Sequence, residues 1–341
     1  MRGVVYRIKS SDFSVYEIRG KSCEKCKNKF PEAVAVVKLF DNHGNLKMII
    51  DKKEPKFLKG GFSQGKVVGA RIDVLPDGRK LNKAYSLFAP KLNIHDEKSN
   101  SHWDVIFKNP NGEFAYVYSV EKMKLSTKNK YKKVYEFSKC LPRLERNLIK
   151  ALGNDVLALP MLILLKTKMR VGNEIYYLKN HHKGLTTLKK KNIKISGTNV
   201  SFDYIAKDGV PQKISEKFSE KIIKKLKEVL SSKKLNDFVF VDSRGHPFKD
   251  VAFEKAFERY CGKKFYPHIV RSYYATSEAE KFLKEKKVRS KDEVEKFYLK
   301  IAEKLGHKKF SKKSGWENSY QVTLHHYIRP ELVEKIGKMV Q

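Results

Sequence analysis

Met169-Arg170-Val171-Gly172-Asn173-Glu174 closes a helical stretch, and Lys183-Gly184-Leu185-Thr186-Thr187-Leu188 leads into one that reads as β. Before the first motif, Val156 to Leu165 is an apolar run carrying Pro160, the pattern of a buried helix continuing to about Met169. After the second, Thr186 to Leu188, Asn192 to Ser196 and Val200 to Ala206 have the residue types and turn flanks of short strands. Lys207-Asp208-Gly209 then reverses the chain, because Asp-Gly supplies the positive φ angles that a tight hairpin needs.

Helical periodicity surrounds this β interlude. Upstream, Tyr131 to Cys140 and Leu144 to Leu152 read as helices, with Gly153 as a stop. Downstream, helices are expected over Ser215 to Leu230, Val251 to Tyr260, His268 to Lys284 and Glu293 to Leu305, and Pro330 opens a terminal one. Ser290 and Glu293 form a capping box for the helix ending at Leu305.

The first third is different. Val4 to Ile8, Val15 to Arg19 and Ala33 to Phe40 read as strands, and Asp41 to Asn45 as a hairpin connection into Leu46 to Ile50. A clearer hairpin joins His102 to Lys108 with Glu113 to Val120 through Asn109-Pro110-Asn111-Gly112. Along these strands Trp103, Tyr116 and Tyr118 suit a sheet face. Lys52 to Lys80 reads as loops on a basic face. From Met123 to Lys130 the apolar pattern lapses into Lys, Ser, Thr and Asn. The expected class is therefore α+β: a β-rich domain over 1–123, a linker over 124–130, and a mainly α-helical domain with a small β-sheet over 131–341.

Charge narrows the partner. Against 38 acidic residues stand 73 Lys and Arg, a formal net charge of +35 over 341 residues. Such an excess repels itself unless a polyanion neutralises it, which points to nucleic acid. No stretch approaches the roughly 20 apolar residues of a membrane-spanning helix. Four cysteines are too few for a disulfide scaffold in a chain of this length, which suggests a reducing, intracellular setting. Cys23 and Cys26 form a CxxC without a second pair at zinc-ribbon spacing, so two reduced thiols are the simpler reading.

The two opening motifs closely resemble those of type IB DNA topoisomerases, above all the compact viral and bacterial forms. Leu141-Pro142-Arg143-Leu144 is similar to that family's entry into its catalytic domain. Tyr204-Ile205-Ala206-Lys207-Asp208 resembles its lysine hairpin, and His268-Ile269-Val270-Arg271 its second arginine motif. Leu305-Gly306-His307 and Tyr327-Ile328-Arg329-Pro330 resemble the histidine and nucleophile motifs, in the same order along the chain.

The resemblance implies a set of catalytic residues: Arg170, Lys207, Arg271, His307 and Tyr327. Chemically the set is coherent. A phosphodiester attacked by a phenol gains negative charge on its non-bridging oxygens, and two guanidinium forks and an imidazole are suited to donate to them. Lys207 would protonate the leaving 5′-oxygen. A tyrosine phenol, with a pKa of about 10, is a weak nucleophile at neutral pH unless nearby cations favour its anion. His268 is either a further phosphate contact, as in the related tyrosine recombinases, or a helix cap; His307 also lies where it would cap the preceding helix. Tyr320 competes with Tyr327 because it lies closer to His307; Tyr327 is preferred on its motif, with Lys308 to Asn318 as an insertion-like linker.

The implied activity is relaxation of supercoiled duplex DNA through a 3′-phosphotyrosine, without ATP, metal or other cofactor, by a monomer associated with DNA in the cytoplasm, nucleoid or a virion. Binding should then weaken steeply with salt. The rivals are a tyrosine recombinase, which shares the His-x-x-Arg segment, and a DNA-binding protein without the chemistry.

Overall fold

The computed structural model describes residues 3–95, 103–285 and 288–340. The chain divides into two compact units, the first ending at Asn129 and the second starting at Lys130.

The first unit is built on an antiparallel five-stranded sheet in the order Ser22–Cys26, Val15–Arg19, Val5–Ile8, Gly61–Ser63, Lys66–Val68. Asn93–Ile94, Val105–Lys108 and Phe114–Val117 form a second sheet, and Ile72–Val74 pairs with Lys80–Tyr85. The hairpin expected at Asn109 to Gly112 is present, with Gly112 at φ 86 and Phe114 paired to Lys108; its expected first residue, His102, lies outside the described residues. Lys52 to Lys80 is not all loop, since three short strands fall within it.

Ala33 to Phe40 is a helix rather than a strand: α1 spans Pro31–Asn42. Its β-branched content suggested a strand, but the buried residues Ala33, Val36, Val37 and Phe40 recur at the helical period and share one face. Pro31 also suits a first helical turn, where no intrahelical N–H bond is lost. Asp41 to Asn45 therefore ends a helix, and a 3-10 turn over Leu46–Ile49 follows.

Helix α2, Val120–Ala151, replaces both the expected linker over 124–130 and the expected pair of helices. Its first turns are polar but contain nothing that breaks a helix. From Tyr131 onward the buried stripe Val134, Phe137, Cys140, Leu144 and Leu148 passes through Pro142 without interruption.

In the second unit, α3 (Ala158–Thr167) is buried on nearly every side, α4 spans Glu174–Asn180, and Leu185–Thr187 is a 3-10 turn rather than a strand. The antiparallel sheet Ile193–Ser196, Asn199–Ile205, Pro211–Lys217 follows. Residues 215–217 thus belong to a strand, and α5 starts later than expected, at Glu220–Ser231. Next come α6 (Asp250–Cys261), α7 (Ile269–Lys284) and α8 (Lys291–Leu305), the last with the expected Ser290–Glu293 capping box. Lys308 to Asn318 is an ordered hairpin, not a linker: Lys308–Ser311 pairs with Gly315–Asn318. Two short helices, α9 (Gln321–His326) and α10 (Pro330–Gly337), complete the unit.

Two apolar clusters hold this unit together. One gathers Phe137, Leu144, Phe202, Phe253 and Phe257; the other gathers Tyr298, Ile301, Ile328, Leu332 and Ile336. Helix α7 serves both, giving Val270 to the first and Ala275 and Ala279 to the second. Arg271 lies between them, which makes the seam of the two clusters the place where a buried charge is held. Among the described residues no helix is long and apolar enough to cross a membrane.

Candidate active site

The seam is shaped by the two motifs around Gly172 and Gly184. Lys168, in the left-handed region at φ 60, ends α3 by donating its N–H to Leu164, and Asn173 caps α4 by accepting from the Tyr176 N–H. Between these caps, residues 170 and 171 are tied to the second motif: Leu185 N donates to Arg170 O at 2.8 Å and Thr186 N to Val171 O at 2.6 Å. A Cβ at Gly184 would lie 2.6 Å from Gly172 N and 2.7 Å from Arg170 O, so only glycine permits this approach. We therefore expect Gly184→Ala to cost about 1–3 kcal/mol of folding stability in urea denaturation, as overpacked sites do. Gly153→Ala, which meets nothing within 4 Å, should stay within roughly 0.5 kcal/mol of the parent.

Arg170, so placed, reaches two groups. Its Nη1 is 3.0 Å from His268 Nε2, and its Nη2 donates to the Tyr327 hydroxyl at 3.2 Å. His268 Nε2 is itself 3.1 Å from that hydroxyl. Tyr327 is 4% exposed, at the end of α9. Its ring is 4.8 Å from the His307 ring, and the Arg271 guanidinium is 5.2 Å from the ring centre.

Arg271, 3% exposed, is committed to protein acceptors. Its Nη1 donates to Lys168 O at 2.6 Å and its Nη2 to Leu305 O at 2.7 Å, so one guanidinium caps the carbonyl ends of α3 and α8. Nη2 also donates to His307 Nε2 at 2.9 Å, while Nε has no partner. Because a guanidinium can only donate, His307 Nε2 accepts, and its proton sits on Nδ1, bonded to Thr323 Oγ1 at 2.8 Å. His307 Nε2 is therefore an acceptor in this state, and only a protonated ring could also donate to a phosphate oxygen.

Both histidines are held neutral. Burial first, then the charges of Arg170 and Arg271, push His268 down to about 3; burial and the same two arginines do the same to His307. Between pH 6.5 and 3 the unfolded chain thus binds protons that these rings refuse in the fold. Their contribution to stability is complete above pH 6.5 and is lost as pH falls through that window. In urea melts, the wild type should lose more stability between pH 6.5 and 4.5 than a His268→Gln/His307→Gln variant; equal losses would contradict the assignment.

Lys207 stands on the turn joining Asn199–Ile205 to Pro211–Lys217, where Asp208 (φ 63) and Gly209 (φ 77) take the expected left-handed conformations. It is exposed, and it borders two cavities: one of about 350 Å³ with Arg170 and His268, and one of about 220 Å³ with Arg170, Arg271 and His307. The structure thus gathers Arg170, His268, Arg271, His307 and Tyr327 and sets Lys207 at their rim. The Tyr320 ring is instead stacked on Tyr298, at 5.8 Å between ring centres.

Cations outnumber acids here. Burial, with Lys304 and Lys166 nearby, lowers Lys168 to about 8. Lys130, on α2, is lowered to about 8 by burial. Its Nζ donates to His326 O and lies 5.5 Å from the Tyr327 ring centre. Sequence reading gave no place beside Tyr327 to Lys130, one of many lysines in its stretch, or to Thr276, whose Oγ1 donates to Tyr327 O at 3.2 Å. No spacing signal marks either. A field of this sign is suited to an anion that enters the cavities.

Comparison with known proteins agrees with that electrostatic character. The family described as eukaryotic DNA topoisomerase I, catalytic core, matches residues 120–328, more than half of the chain. The chain belongs to this family. A DNA topoisomerase 1B of Acanthamoeba polyphaga mimivirus is 29% identical over 116 residues, which cover 32% of this chain and 34% of the viral protein. The chain thus matches about a third of that curated relative's length. Among solved structures, the XerH site-specific recombinase bound to palindromic difH substrate in a post-cleavage complex covers 48% of this chain and 44% of its own, at 19% identity and a TM-score of 0.34. Its pre-cleavage complex gives 18% identity, coverage of 48% and 45%, and a TM-score of 0.33.

Proposed function

We propose that the protein is a type IB DNA topoisomerase that relaxes supercoiled duplex DNA through a 3′-phosphotyrosine, with Tyr327 as nucleophile. One observation carries this reading: the Tyr327 hydroxyl is held between Arg170 Nη2 and His268 Nε2.

Chemistry follows from these contacts. The scissile phosphate enters the cavities beside Arg170, and the guanidinium turns from its neutral partners to the phosphate oxygens, where its charge is better used. That frees the lone pair of His268 Nε2 to receive the phenolic proton as the Tyr327 oxygen attacks phosphorus. A P–O bond to tyrosine forms and the P–O5′ bond breaks. Lys207 gives its proton to the departing 5′-oxygen. Bound phosphate also favours protonation of His307, whose Nε2 would then donate to a non-bridging oxygen beside Arg271. Religation reverses each step. Torsional strain drives rotation of the cut strand, so the cycle needs no ATP, metal or other cofactor.

The β-rich unit holds the duplex by phosphate contacts in this account, and the protein works as a monomer on DNA. Plasmid relaxation in EDTA without ATP tests the reading: supercoils should disappear with the wild type. No relaxation, with strand exchange between two DNA sites instead, would favour a recombinase. Duplex binding without any covalent adduct would leave a binding protein.

A further inference from the structure

Helix α9 ends at the proposed nucleophile, and a helix end leaves carbonyls that need donors. Three consecutive ones are held by side chains from other helices. Lys130 Nζ donates to His326 O, Thr276 Oγ1 to Tyr327 O at 3.2 Å, and Tyr131 Oη to Ile328 O at 2.6 Å. Lys130 and Tyr131 are neighbours on α2, so one turn of that helix grips the chain on both sides of Tyr327. The grip has to come from outside, because Tyr327 has left helical geometry at φ −128 and ψ −28. Its own N–H still donates to Thr323 O at 3.0 Å.

We propose that Lys130 and Tyr131 form a positioning clasp for the nucleophile: they fix the backbone at His326 and Ile328 and so set the direction from which the Tyr327 oxygen meets phosphorus. The proposal rests on Tyr327 being the nucleophile and deepens that reading. Neither residue touches the reacting oxygen. Lys130 has a second effect, because its ammonium lies 5.5 Å from the centre of the tyrosine ring and stabilises the negative charge that religation returns to the phenolic oxygen. Tyr131 is 9% exposed and supplies a rigid ring, so its hydroxyl is held with little freedom.

Single-turnover cleavage of a suicide duplex tests the clasp, with protein saturating and duplex affinity measured in parallel. Lys130→Met and Tyr131→Phe should each slow cleavage by about 10²-fold, the scale of a misaligned attack, while the dissociation constant stays within about 2-fold. Lys130→Arg, which keeps the charge and the donor, should restore most of the rate. Thermal melting of each variant separates a rate effect from a loss of folded protein. Rates equal to the wild type, or losses that only follow the folded fraction, overturn the clasp while leaving the nucleophile in place. A wild type that makes no adduct overturns both.

Discussion

Tyr327→Phe should reduce plasmid relaxation to background, a loss on the order of 10⁴-fold or more, as removal of an enzyme's nucleophile does. Fold and chemistry separate cleanly in this variant. The phenyl ring still fills its place beside Ala275, Ile328 and Leu332, so the apolar cluster is retained. Arg170 and His268, which share the hydroxyl, remain 3.0 Å from each other and lose no obligatory partner. Stability should therefore change by no more than about 1 kcal/mol. Tyr320→Phe provides the contrast: that ring stacks on Tyr298, whereas the Tyr327 hydroxyl meets Arg170 and His268, and relaxation should stay within about 2-fold of the wild type. Equal activity of Tyr327→Phe and the wild type would remove the proposed nucleophile.

The two arginines should fail in different ways. Arg170→Ala takes away a part-exposed guanidinium whose partners are His268 and Tyr327, and cleavage should fall about 10²–10³-fold with little loss of stability. Arg271→Ala should lose at least as much rate, and stability as well. Its two Nη groups satisfy Lys168 O, Leu305 O and His307 Nε2 in a buried seam, and orphaned acceptors there cost roughly 1–3 kcal/mol each before water enters. Lysine is no substitute at this position, because one ammonium cannot span carbonyls at the ends of α3 and α8. Cleavage kinetics together with urea melts distinguish the two patterns. If both variants lose rate without loss of stability, the capping role of Arg271 is wrong.

Some of this site was legible because its chemistry demands particular residue types in particular local settings. Gly172 and Gly184 mark a close backbone approach, Asp208-Gly209 marks a turn, and the arginines stand inside short motifs; the structure places Arg170, Arg271, His307 and Tyr327 together. What sequence hid is long-range or ambiguous. Ala33 to Phe40 satisfies strand composition and helical period at once, and packing of its 3.6-residue face decides the matter. The start of α2 lacks an apolar stripe and so resembles a linker. Ser311 to Gly315 turns a hairpin within a lysine-rich segment that carries little alternation. Lys130 is the clearest case: its interest comes from His326 O and the Tyr327 ring, contacts that bridge nearly two hundred residues of sequence and leave no trace in its neighbours.

The most direct test is to trap the covalent complex on a nicked duplex with denaturant, digest the protein, and sequence the DNA-bound peptide by mass spectrometry. The account predicts a nucleotide 3′-phosphate esterified to Tyr327, with a free 5′-hydroxyl on the other fragment. Attachment at Tyr320, or a protein linked to the 5′ end, would contradict it.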